Sequence, residues 1–237
     1  MAIYVMSDLH GCQEEFHEML GKISFSGEDR LYILGDVVDR GPKPIALLQE
    51  IMRAPNIHLL KGNHEDMFLE SAEWVIYDGF RPRNFYARET AINWIHYNGG
   101  NITADQYEVL PKEERLEILA FLAALPVYEE IEVSGKQYVL VHGGFGNGFR
   151  EEKKVWSYRE SELLWERLDL DRDYFSDKTV VVGHTPTLTY GSQYKNRMIL
   201  KKGKYCIDCG CVFGYSLGCL RLDDQKEFYV KSKREEK

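Results

Sequence analysis

Aspartate, histidine and asparagine recur beside glycine at five places in the sequence. These are Ser7-Asp8-Leu9-His10-Gly11, Gly35-Asp36-Val37-Val38-Asp39-Arg40-Gly41, Lys61-Gly62-Asn63-His64, His142-Gly143-Gly144 and Gly183-His184. Asp and His suit transition ions of intermediate hardness such as manganese, iron or zinc, and glycine lets backbone turn sharply and approach an ion or a substrate. Four of the seven histidines fall in these clusters; His17, His58 and His96 do not. Any one cluster is an ordinary polar turn. Five together, each closing an apolar run, point to metal-assisted chemistry on an anionic group.

The apolar runs are the elements that must position them. Ile3 to Met6, Leu31 to Leu34, Ile57 to Leu60, Tyr138 to Val141 and Thr179 to Val182 are short and rich in Val, Ile, Leu and Tyr, the pattern of buried strands. After the first, Phe16, Leu20 and Ile23 share one helix face. After the second, Pro42 and Pro44 introduce a helix from Ile45 to Met52. Strand–helix alternation predicts an α/β core with its polar clusters at the carboxyl ends of the strands, where open α/β sheets bind ligands. From about 66 to 125 the pattern is helical, with Leu116, Leu119, Phe121, Leu122 and Leu125 as its clearest apolar face and a break at Asn98-Gly99-Gly100. This reads as an excursion within a single domain, residues 1–230, because no linker composition bounds it. Tyr205 to Asp208, Leu217 to Leu222 and Phe228 to Val230 return to strand pattern, and 231–237 reads as a frayed charged tail.

Composition limits the functions available. The chain has 237 residues, 44% hydrophobic and 29% charged, with net charge −8. That excludes a nucleic-acid scaffold, which needs a positive surface to displace counterions. An anionic substrate would have to be held by metal ions or a few arginines. The longest apolar run, Ile118 to Leu125, is too short to cross a bilayer, so no membrane partner is expected. Met1 to Asp8 shows no secretory signal and the five cysteines are odd in number, which together predict a reduced, cytoplasmic setting.

At the five clusters the sequence resembles the calcineurin-like metallophosphoesterases, in particular their phosphoprotein phosphatase branch. The family pattern is Gly-Asp-x-His-Gly, Gly-Asp-x-x-Asp-Arg-Gly, Gly-Asn-His-Glu, His-Gly-Gly and a late Gly-His. All five motifs are present here, with Ser7 in place of the first glycine. The resemblance spans residue 3 to about 220, and the Trp94 to Gly100 stretch looks like bacterial and phage members. It implies a four-layer αββα sandwich and two divalent ions, with manganese expected first and iron or zinc as alternatives. By motif position, Asp8, His10 and Asp36 would hold one ion, and Asp36, Asn63, His142 and His184 the other. Asp36 would bridge them. Two such ligand charges against two divalent ions leave an excess of about +2, suited to a phosphate dianion and to a bound hydroxide for in-line attack without a phosphoenzyme.

The resemblance also makes His64 the general acid, with Asp39 orienting it. A His–Asp pair is expected to raise the imidazole pKa and fix its tautomer. Arg40 would clamp phosphate oxygens. Lys61 stands where the branch commonly has a second phosphate-binding arginine, and Arg167 could supply a further guanidinium. Gly183-His184 is followed by Thr185-Pro186, without the second histidine of many diesterases, which favours monoesters. Cys206, Cys209, Cys211 and Cys219 suggest zinc but read better as buried thiols, with strand alternation placing Cys209 and Cys211 on one face. Cys12 reads as helix-start packing. The expected function is a dinuclear-metal phosphomonoesterase acting on a phosphorylated protein or small phosphoester, first of all as a serine/threonine protein phosphatase. The alternatives are a dinucleoside-polyphosphate hydrolase and a catalytically silent binding relative.

Overall fold

The computed structural model describes residues 1–75 and 85–236. Among the described residues, ten strands form two five-stranded mixed sheets. The first runs β10 (Lys226–Lys231), β9 (Ser216–Arg221), β1 (Ile3–Met6), β2 (Arg30–Ile33), β3 (Ile57–Leu59). The second runs β4 (Tyr128–Val133), β5 (Lys136–Val141), β6 (Lys178–Val182), β8 (Lys204–Cys206), β7 (Ile199–Lys201). β1, β2 and β3 are mutually parallel, as are β5, β6 and β8, while the outer strands β4, β7 and β10 pair antiparallel.

Side-chain alternation divides the interior into three cores. Val5, Tyr32, Leu140, Val181 and Leu220 point between the sheets. Their strand neighbours Tyr4, Met6, Leu31, Ile33 and Cys219 point outward against α1 (Gln13–Lys22) and α2 (Pro44–Arg53). Val139, Val141, Val180 and Val182 point outward from the second sheet. Period-two alternation in strands with both faces covered gives near-continuous apolar runs, which is why these segments are legible as buried strands. The result is the expected αββα sandwich. Its second outer layer is thin, with α7 (Glu160–Trp165) and short 3-10 turns over a cluster that includes Phe145, Phe149 and Tyr158.

The excursion is helical where it is described: α3 (Asn63–Val75), α4 (Phe85–Tyr97), α5 (Asn101–Glu108) and α6 (Lys112–Ala123). Residues 76–84 of the predicted segment lie outside the described residues. The predicted apolar face of its last helix is shifted. Ile118 and Leu122, one turn apart, are buried with Leu125, whereas Leu116 is 55% exposed. The cysteine expectation is also corrected. β8 ends at Cys206, and Gly210 takes φ +73°, so strand alternation does not continue. Cys209 therefore joins the inter-sheet core and Cys211 the outer core of the first sheet. At the tail, Ser232 is buried and Lys233 N–H donates to Glu15 Oε1 at 2.9 Å. Among the described residues no helix is long and apolar enough to cross a membrane.

Leu140 is fully buried between the sheets. Leu140→Ala is expected to lower unfolding free energy by about 2–5 kcal/mol in urea titration. A loss below about 1 kcal/mol would show that the two sheets do not pack at this point.

Candidate active site

Parallel strands deliver their loops to one edge of each sheet, so six carboxyl ends meet. Asp8 and His10 follow β1, Asp36, Asp39 and Arg40 follow β2, and Asn63 and His64 open α3 after β3. His142 follows β5, His184 follows β6, and Asp208 follows β8. They surround a cavity of about 310 Å³ whose lining includes Asp8, His10, Asp36, Asn63, His64 and His184. His142 is wholly buried behind it. Arg40 and Arg167 also line the cavity, as do Trp165 and Phe213. Lys61 does not: its ammonium lies 2.7 Å from Glu160 Oε1. Asp208 is a cavity residue with no role assigned from the sequence, although it ends the strand-patterned run Tyr205 to Asp208.

Asp36 occupies the centre. Its Oδ2 is 3.5 Å from His10 Nε2 and its Oδ1 is 3.4 Å from His142 Nε2. Asn63 Oδ1 lies 2.8 Å from His142 Nε2 and 3.0 Å from His184 Nδ1. The outer nitrogens of two rings are already committed, His10 Nδ1 to Val38 O at 2.8 Å and His142 Nδ1 to Leu34 O at 2.6 Å. Donation to a carbonyl by each Nδ1–H leaves both Nε2 lone pairs facing the carboxylate and amide oxygens. Convergent acceptors of this kind call for cations between them. The donor set of imidazole, carboxylate and amide oxygen fits a pair of divalent transition ions, with Asp36 able to reach both.

The charges agree with that reading. Burial, then Asp8 and Glu65, push Asp36 well above the ordinary carboxylate range. Burial, with Asp8 beside it, does the same to Asp208. Burial pushes His10 well below its usual value and His184 down to about 2. Neutral imidazoles are the form that ligates, and crowded buried carboxylates are relieved by a cation.

The backbone is bent to make this possible. Among the described residues, ten non-glycine positions have positive φ, and six of them are site residues: Asp8, His10, Asp36, Asp39, Arg40 and His184. Asp and His tolerate the left-handed region better than most residues, but such positions still cost about 1–3 kcal/mol each and need outside support. Glu65 supplies much of it. Its carboxylate accepts from the backbone N–H groups of Asp36 (2.7 Å), Val37 (2.8 Å) and Gly62 (2.9 Å), fastening the loop after β2 to the loop after β3. Gly62 itself admits no side chain, since a Cβ there would run into Asp36 Oδ1 and the Asp36 backbone. Asp8, on the same sheet, has an Oδ2 that accepts from Ser7 Oγ and, from the other sheet, from His184 N–H at 2.8 Å, joining the loops after β1 and β6 across the sandwich.

His64 borders the convergent set, with one ring nitrogen within 4.8 Å of donor atoms of His10 and Asp36, but its other nitrogen is committed elsewhere. Its Nδ1 is 2.5 Å from Asp39 Oδ2, while its Nε2 is 3.9 Å from Asp36 Oδ2. Asp39 is fully buried and also accepts from Trp94 Nε1–H at 2.7 Å and Thr103 Oγ1–H at 2.6 Å. Arg40 N–H donates to Gly99 O at 3.1 Å. The helical excursion therefore clamps Asp39 and Arg40 from outside. The sequence marks Trp94 and Gly99-Gly100 but not this contact, and it gives no sign of Thr103. The expected rise in the His64 pKa is corrected: burial, Arg40 and His142 push it well below its usual value. The same dry setting raises Asp39 to about 7, against the lowering pull of Thr103, Trp94 and Arg40.

A two-sheet sandwich with a carboxylate–imidazole cluster at its parallel strand ends defines a metal-binding phosphoesterase. The chain belongs to the calcineurin-like phosphoesterase family, whose sequence model matches residues 1–214. It is 24% identical to the asymmetrical bis(5'-nucleosyl)-tetraphosphatase PrpE of Geobacillus sp. (strain WCH70), over 98% of this chain and 95% of that one. It is 26% identical to serine/threonine-protein phosphatase 2 of Salmonella typhimurium, over 86% of this chain and 88% of the relative. A solved protein serine/threonine phosphatase from Saccharomyces cerevisiae has the same fold, with a TM-score of 0.62 at 15% identity. That match covers 100% of this chain and 81% of the yeast one.

Removing the indole donor should make the Asp39 carboxylate harder to ionise. In Trp94→Phe the acidic limb of the kcat/KM profile is expected to move up by about one pH unit, because a hydrogen bond to a charged group is worth about 1.5–3 kcal/mol. An unmoved limb in a folded variant would mean that this pair does not govern the profile.

Proposed function

We propose that the chain hydrolyses phosphomonoesters by direct attack of water, with phosphoserine or phosphothreonine in a protein as its first substrate class. The observation that carries the reading is the His64–Asp39 pair. One imidazole nitrogen is locked on a buried carboxylate and the other edge faces the cavity beside Asp36. Asp8, His10, Asp36, Asn63, His142 and His184 would hold two divalent ions, with manganese the first choice. Bound there, the ions supply Lewis acidity toward phosphate oxygens and an activated water.

The chain's own residues do the rest. Arg40 and Arg167 line the cavity and offer planar guanidinium forks to non-bridging phosphate oxygens. His10 Nε2 now accepts from Arg40 at 2.7 Å; because that nitrogen cannot serve both the guanidinium and an ion, ion binding frees Arg40 for the substrate. His64 Nε2–H is placed to protonate the leaving oxygen, and Asp39 holds the ring in the tautomer that presents it. The dry pocket lowers the His64 pKa, but an arriving phosphate dianion favours the imidazolium and offsets that loss. Lys61, paired with Glu160, has no part in this scheme.

A second reading has specific support. The tetraphosphatase PrpE aligns along nearly the whole of this chain, and Trp165 and Phe213 line the cavity as aromatic faces that a nucleobase could stack on. The deciding assay gives the manganese-loaded protein a phosphothreonine peptide and diadenosine tetraphosphate side by side. Higher kcat/KM on the peptide is expected, and a clear preference for the dinucleotide replaces the protein reading with the second.

His64→Asn should retain bound metal and lose about 10²–10⁴ in kcat. The loss should shrink on aryl phosphates, whose leaving groups need no proton. Unchanged turnover would remove His64 from the role of acid.

A further inference from the structure

One cluster of soft and acidic donors lies outside the dinuclear set. Cys12 directly precedes α1, Glu15 lies within its first turn, and Cys211 comes from the 3-10 turn Cys211–Phe213. All three are buried. One atom from each, two sulfurs and a carboxylate oxygen, lies within 4.8 Å of the other two. A cavity of about 240 Å³ borders Cys12 and Glu15 and is also lined by Lys43, Lys233 and Arg234.

We propose that Cys12, Glu15 and Cys211 form a third metal site, separate from the dinuclear centre, for a thiophilic divalent cation of the zinc class. Sulfur ligands at about 2.3 Å on a tetrahedral ion are about 3.8 Å apart, so the observed spacing needs a contraction of about 1 Å or less. Water from the adjoining cavity takes the fourth position. On binding, two metal–sulfur bonds form, two thiol protons pass to solvent and no electron is transferred. Two thiolates and a carboxylate around a divalent ion leave one negative charge. The cavity wall carries Lys43, Lys233 and Arg234 against Glu14, which lies 3.9 Å from Lys43 and 3.5 Å from Lys233, and its net positive charge offsets that of the site.

The position gives the ion a structural consequence. Cys12 is two residues past His10, and Cys211 lines the catalytic cavity near Asp208. An ion here ties the loop after β1 to the segment after β8, which pairing within the first sheet does not join directly. All five thiols adjoin apolar residues, but Cys12 and Cys211 also have the Glu15 carboxylate within reach, which Cys206, Cys209 and Cys219 do not share in any such group among the described residues. Packing alone does not explain why a buried glutamate shares this place with two sulfurs: its carboxylate accepts from Lys233 N–H at 2.9 Å through Oε1 and keeps acceptor capacity for a cation.

The test loads the full-length protein with cobalt(II), counts metal per chain and records near-ultraviolet absorption. The proposed dinuclear ligands are nitrogen and oxygen only, so thiolate-to-cobalt charge transfer reports sulfur ligation alone. A third ion per chain and a charge-transfer band are expected. Cys12→Ser and Cys211→Ser should each abolish the band, Glu15→Gln should weaken cobalt binding about tenfold or more, and Cys206→Ser should leave both unchanged. Wild-type protein that takes up two ions and shows no band overturns the site without any variant. A band surviving both serine substitutions overturns it as well. Where a serine variant fails to fold, thiol labelling of the wild type read by mass spectrometry takes its place. Zinc should protect Cys12 and Cys211, and equal labelling with and without zinc rejects the proposal.

Discussion

Acceptors packed in a dry space repel one another, and the arrangement around Asp36 depends on how that repulsion is managed. Three histidine nitrogens, an amide oxygen and the oxygens of Asp36 converge with few protons to share. Burial pushes Asp36 toward protonation and His10 and His184 toward neutrality, so charge is disfavoured on both kinds of group. Cations remove both penalties at once. The rest of the sandwich can be understood as the frame that keeps those lone pairs converging when they would otherwise turn away.

The frame works by fastening loops to each other. Glu65 fixes the loop after β2 against the start of α3, and Asp8 reaches His184 N–H from the opposite sheet. These bonds hold a run of left-handed residues that an isolated loop would relax. The helical excursion extends the same logic to the His64–Asp39 pair. Trp94 and Thr103 donate to one carboxylate, Asp39, which in turn sets the orientation of His64. The described part of this helical insertion thus reaches His64 through one buried hydrogen-bonded chain.

What could be read in the sequence follows from how local each signal is. Strand ends are legible because an apolar run followed by glycine and a polar pair is a contiguous pattern, and β1, β2, β3, β5 and β6 are all of that kind. β4, with Glu129, Glu130 and Glu132 in its run, carries no such signal and pairs only through β5. Leu116 misled because its spacing suits a helix face while the helix turns Ile118 and Leu122 inward. Glu65 stood inside a recognised motif, yet its function consists of bonds to backbone in another loop, which spacing does not encode. Lys61 shows the reverse. Its place beside Gly62 suggested the cavity, and its side chain is instead held by Glu160 from α7. Thr103 and Asp208 are placed by tertiary packing alone.

An overall charge of −8 and a site for phosphate are compatible because the potential that matters is local. Arg40 packs over Phe213, its guanidinium carbon 5.5 Å from the ring centroid, and so keeps a partly desolvated cation at the cavity wall. Arg167 faces the same cavity. In a recess walled by protein, two guanidiniums and the ions the cluster would hold act through a lower dielectric than bulk water, so nearby positive charge outweighs the screened acidic exterior. The acidic exterior then disfavours prolonged contact with polyanions such as nucleic acid, while a compact phosphoester that enters the recess meets Arg40 and Arg167 beside carboxylates that bound ions would neutralise. Selectivity among phosphoesters must therefore come from the groups at the mouth, Trp165 and Phe213 among them, because the ions and arginines bind any phosphate alike.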